Sequence, residues 1–120
     1  MKTPLQGALL RVFLGESDRL DGKPLYHAIV LRAREMHLAG ATVFRGIMGY
    51  GKNSRIHTTK IEALSTDLPI VIEIVDSEEK INAFLPVVES LLKQGLVTLE
   101  KVRVIKYGPE GEAPSETEKS

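Results

Sequence analysis

A chain of 120 residues and 13.2 kDa, 42% hydrophobic and 27% charged, has the size and composition of one globular domain. The absence of cysteine excludes disulfides, thiolate zinc sites, iron–sulfur ligation and a thiol nucleophile. Sixteen basic residues balance sixteen acidic ones, a neutrality that argues against a general nucleic-acid or polybasic membrane binder.

Met1–Leu10 carries only Lys2 and lacks a long apolar core, so no secretory signal is expected. Ala8–Leu14 (ALLRVFL) has the β-branched and aromatic content of a strand and is closed by Gly15. Glu16–Lys23 reads as loop, with Pro24 placed to be a first helical residue. Leu25, Ile29, Ala33 and Met36 then recur at helical spacing, and Gly40 is expected to end that helix. Met36–Phe44 is the longest stretch without a charge, far short of the ~20 apolar residues of a membrane helix, so a soluble cytoplasmic protein is expected. Ala41–Ile47 predicts a second strand grading into the glycine-rich MGYGKNS, and Leu68–Val75 (LPIVIEIV) predicts a third. Asp76-Ser-Glu-Glu79 resembles a capping box for a second helix, whose stripe is Ile81, Phe84, Leu85, Val88, Leu91 and Leu92. Pro86 interrupts that helix but the period continues past it, until Gly95 stops it and Leu96–Tyr107 forms the last strand. From Gly108 the text becomes GPEGEAPSETEKS, a solvated acidic tail with nothing to offset the entropy of ordering. The expected organisation is therefore a domain over 1–107 of charge +3 and a disordered tail over 108–120 of charge −3.

The order β-α-β-β-α-β is the ferredoxin-like split βαβ arrangement, an α+β fold with two helices on one face of an antiparallel sheet. The strands do not alternate cleanly: only Glu73 interrupts Ile70–Val75, and only Arg11 interrupts the first strand. Both faces of the sheet are therefore expected to be covered. Two helices cover only one, so the chain is read as an oligomer whose neighbour covers the other.

Between Glu35 and Glu62 there is no acid, yet Arg45, Lys52, Arg55, Lys60, His37 and His57 all fall there. Glycines at 46, 49 and 51 would let backbone N–H groups turn toward an anion that the basic side chains neutralise. A phosphate or nucleotide cradle is one reading; a hairpin with solvated charges is the other. The segment is neither GxxxxGK[ST] nor GxGxxG. His27, His37 and His57 contain no i, i+4 pair, so no metal site within one chain is expected. Lys101 and Arg103, two apart on the last strand, share a face, either to pair with Glu73 or Glu100 or to contact a ligand. Glu78-Glu79 read as helix-start charges, and no catalytic constellation is recognisable. LPIVIEIV lacks the stacked aromatics of an RNA-recognition sheet, so no nucleic-acid partner is expected.

The blocks GESDRLDGKPLY (15–26), GATVFRGIMGYG (40–51), SRIHT (54–58), LPIVIEIVDSEEKI (68–81) and GLVTLEKVRVIKY (95–107) closely resemble the PII-like ferredoxin-fold family called domain of unknown function 190. The resemblance covers nearly all of residues 8–107 and implies a PII- or CutA-like homotrimer. It also implies a small adenine nucleotide bound between subunits, and a loop at Tyr50–Lys60 that docks on a membrane transporter or other protein partner. Ligand-binding residues implied on this reading are Arg45, Gly46, Gly49, Gly51, Lys52, Arg55 and His57, with Lys101 and Arg103 from a neighbouring subunit. Two departures bear on the ligand. The connection between the second helix and last strand is only KQGLV, where PII proteins carry a glycine-rich phosphate loop. GYGKNS also lacks the motif of the modifiable PII tyrosine. AMP, ADP or a cyclic nucleotide fits this pattern better than ATP held by its full triphosphate. The alternative is a CutA-like metal-binding or structural trimer without a nucleotide.

Overall fold

The computed structural model describes residues 5–51 and 67–107. Its elements are β1 (Leu5–Gly15), β2 (Arg19–Leu20), β3 (Lys23–Pro24), α1 (Leu25–Glu35), β4 (Thr42–Arg45), β5 (Pro69–Ser77), α2 (Glu78–Leu91) and β6 (Leu96–Val104). The four long strands form one antiparallel sheet in the order β4-β5-β1-β6, and β2 and β3 form a small separate ribbon. This is the ferredoxin-like α+β fold that the sequence predicts. The expectations for Lys52, Arg55, His57, Lys60 and the tail over 108–120 concern residues outside the described ones.

Alternation along the strands builds two unlike faces. On one, Ala8, Leu10, Val12 and Leu14 of β1 lie beside Ile70, Ile72 and Ile74 of β5, covered by Leu25, Ile29 and Ala33 of α1 and Ile81, Phe84 and Val88 of α2. Each large side chain fully withdrawn from water there contributes about 1.5–3 kcal/mol. Among the described residues no helix lies over the other face. There the register aligns Phe44, Val71, Phe13 and Leu96 in one row across all four strands, and Thr42, Glu73, Arg11 and Thr98 in the next. Among the described residues the expectation of two covered faces is therefore met on one side only. Phe44 and Leu96 at the two ends of the apolar row stand 51% and 56% exposed.

Several local expectations are corrected by tertiary contacts. Helix α1 ends well before Gly40: Met36 caps it and His37 takes the left-handed turn at φ 63°. The cap of α2 is Ser77, whose hydroxyl accepts from Lys80 N at 3.2 Å; Asp76 is instead buried at the end of β5. Pro24 is the residue before α1, not within it, because its ψ of 128° is extended. Pro86 is tolerated inside α2 because it and Asn82, whose carbonyl lacks a partner N–H there, both lie on the solvent side.

Gly95 makes the turn from α2 into β6 at φ 135°, and a Cβ there would collide with the carbonyl oxygen of Phe13. Both the conformation and the close approach require glycine. Gly95→Ala is expected to cost about 1–3 kcal/mol, read as a lowered urea midpoint with unchanged slope.

Candidate functional site

The end of the sheet where β1 and β4 finish and β5 and β6 begin carries a cleft of about 600 Å³. Phe13, Leu14 and Ile70 supply apolar walls, and Gln94, Gly95 and Leu96 close it on the β6 side. Gly49, Tyr50 and Gly51, from the chain leaving β4, form its rim. Gly46 seats this rim: its N–H donates to Pro69 O at 2.7 Å, and a Cβ on it would press to 2.7 Å from Pro69 Cγ. Ile47, Met48 and Tyr50 beside it are largely exposed, Ile47 at 95%.

Charge at the mouth is not what the basic window alone suggests. Arg45 stands at the end of β4, and its Nη2 lies 3.2 Å from Glu16 Oε2. Asp18 and Asp67 line the cleft itself. The turn after β1 is tied by these acids, with Gly15 N donating to Asp18 Oδ2 at 3.1 Å and Ser17 N to Asp67 Oδ1 at 3.0 Å.

Of the residues singled out in the sequence, Arg45, Gly46, Gly49 and Gly51 come together at this end. Lys101 and Arg103 do not join them within one chain. They pair across from Ala8 and Gln6 on β6, the opposite edge of the sheet from β4. That places Arg103 roughly 25 Å from the cleft along the strands, at the rise of an extended chain. Nor do they pair with Glu73 or Glu100. Those carboxylates lie on the other face, where Arg11 takes both: Nε to Glu73 Oε2 at 2.9 Å and Nη1 to Glu100 Oε1 at 3.1 Å. The hydrogen bond to Glu73 is the main cause that raises the Arg11 pKa above its ordinary value.

Glu16, Asp18 and Asp67, which the sequence analysis did not single out, lie at this candidate site. The acid-rich turn GESDRLDG directly after the first strand was the available signal. Only the β1–β5 register, Gly15 opposite Pro69, reveals that Asp67 belongs to the same corner.

A family profile for DUF190, described as "Uncharacterized ACR", matches residues 7–104. A UPF0166 protein of Aquifex aeolicus (strain VF5) is 48% identical over 97 residues, spanning 81% of this chain and 91% of that protein. A UPF0166 protein of Methanocaldococcus jannaschii is 35% identical over 103 residues, 85% and 94% of the two chains. Among solved structures, CPII of Thiomonas intermedia K12 bound to ADP and bicarbonate superposes with a TM-score of 0.62 at 15% identity, covering 87% of this chain and 93% of that one. The divalent ion tolerance protein CutA1 of Ehrlichia chaffeensis does so at 0.56 and 11% identity, covering 91% and 90%. At these identities the structural matches speak for the fold alone.

Proposed function

The chain belongs to the DUF190 family, and from that premise we propose that it is a PII-like regulatory protein that binds a small adenine nucleotide between the subunits of a homotrimer. The observation that carries this reading is the cleft at the root of the acid-free loop, rimmed by glycines and with Arg45 at its mouth. That CPII, a protein of the same fold, was captured with ADP supports it.

In the proposed trimer the uncovered sheet faces pack together, and Lys101 and Arg103, on the helix side of the β6 edge, would add positive charge to a neighbouring subunit's cleft only by reaching it around that edge. The loop over Tyr50–Lys60 then carries the signal to a protein partner. Nucleotide binding changes what the segment fits and so switches the partner contact. Among the described residues no helix is long and apolar enough to cross a membrane.

Calorimetry with AMP, ADP, ATP and cyclic nucleotides tests the reading, and absence of heat from all of them with folded protein overturns it. Arg45→Ala is expected to weaken AMP binding about tenfold or more, the value of a charge-assisted hydrogen bond to phosphate. An unchanged dissociation constant would remove Arg45 from the site. The likeness to CutA1 keeps a second reading, a metal-binding or purely structural trimer, for which metal analysis of protein purified without chelators is decisive.

A further inference from the structure

The cleft has a chemical polarity of its own, and the inference drawn from it rests on the nucleotide reading above. Among the described residues that line it there is no lysine, arginine or histidine; the charged lining groups are Asp18 and Asp67. Both carboxylates converge on Gly15. Asp18 Oδ2 accepts from its N–H at 3.1 Å, and a Cβ on it would lie 2.7 Å from Asp67 Oδ1. Asp67 Oδ1 accepts in turn from Ser17 N at 3.0 Å. One oxygen of each carboxylate is thus engaged by the turn after β1, while Asp18 Oδ1 and Asp67 Oδ2 take no hydrogen bond from the described residues.

A phosphate placed against this pair would meet like charge. A group with two adjacent hydroxyls meets the opposite: each O–H donates to a waiting carboxylate oxygen, and such charge-assisted bonds are among the strong ones. An acidic side chain that accepts from a ribose hydroxyl is a recurrent solution in nucleotide sites. The apolar walls of Phe13, Leu14 and Ile70 suit the uncharged body of a nucleoside. Arg45, outside this lining, stands at the end of β4 at the same end of the sheet and already pairs with Glu16, so a phosphate turned out of the cleft would share it with that carboxylate.

We propose that the cleft takes its nucleotide sugar-first, with the ribose 2′- and 3′-hydroxyls donating to Asp18 and Asp67 and the phosphate turned out toward Arg45. The site thereby selects nucleotides with an intact cis-diol, AMP or ADP, over 3′,5′-cyclic and deoxy nucleotides.

The test is calorimetry of the full chain with AMP, 2′-deoxy-AMP, 3′-deoxy-AMP and 3′,5′-cyclic AMP, repeated for AMP with Asp18→Asn and Asp67→Asn. Each missing hydroxyl is expected to weaken binding about tenfold or more, and each substitution likewise, since a hydrogen bond to a charged acceptor is lost or made neutral. Asparagine keeps an oxygen for the backbone N–H, and the deoxy ligands need no variant at all. Tighter AMP binding by either variant would mean that phosphate faces the carboxylates, and overturns the proposal. So does equal affinity for AMP and its deoxy analogues, which leaves the nucleotide reading standing. Failure of AMP itself to bind overturns both.

Discussion

Asp76→Ala is expected to lower the unfolding free energy by about 2–3 kcal/mol, the cost of leaving two part-buried donors without an acceptor. Asp76 is wholly buried at the far end of β5 from the cleft. Its Oδ2 accepts from Ala39 N at 2.9 Å and its Oδ1 from Ser77 N at 2.6 Å. One carboxylate thereby joins the connection between α1 and β4 to the start of α2. The connection depends on such outside support, because it begins with His37 in the left-handed region and has no glycine at that position. Lys80 Nζ donates to His37 O at 2.8 Å and Tyr107 Oη to Ala39 O at 3.1 Å, so chain segments distant in sequence meet at this corner. Asp76→Asn keeps the shape and one acceptor oxygen and is expected to cost about half as much. Urea unfolding at a fixed protein concentration measures both, since the stability of an oligomer depends on concentration. Equal midpoints for the alanine variant and the parent would show that the carboxylate holds nothing.

The contrast between Asp76 and the residues around it shows where the sequence is legible. Ile70, Ile72 and Ile74 announce a buried strand face by composition alone, and the structure places all three in the core. Asp76 sits on that same face by alternation, yet next to Ser-Glu-Glu it reads as a helix cap, because local spacing cannot show that Ala39 arrives beside it. Lys101 and Arg103 give a similar lesson. Their shared parity is certain from spacing two apart, but which face they share depends on the β1–β6 register. That register sends Glu100 to Arg11 and leaves the two cations on the opposite side. At the cleft, the glycines of 46–51 are visible as a cluster, whereas Asp18 and Asp67 read as ordinary solvated loop acids until strand pairing joins them at Gly15.

Val71→Asp is expected to turn the proposed trimer into a monomer, and the uncovered face explains the size of that effect. Val71 lies between Phe13 and Phe44 in the apolar row that ends at Leu96 on the far edge. Were three such faces packed together, each copy would bury one added carboxylate among phenylalanines with no cation in the row to meet it. An unpaired buried charge costs several kcal/mol, and a trimer would carry it three times over. The neighbouring polar row can enter such an interface because its charges are already paired, Arg11 holding Glu73 within the row and Glu100 from the row beyond. The new aspartate has no such partner and stands two residues along β5 from Glu73, adding like charge on the same face. Light scattering behind size exclusion reads the outcome, with circular dichroism to show that the monomer stays folded. Leu31→Asp is the control: Leu31 is 45% exposed on α1, away from the open sheet face, and its substitution is expected to leave the trimer intact. A parent protein that is itself a stable monomer would defeat the argument, because no neighbouring subunit would then cover the row from Phe44 to Leu96.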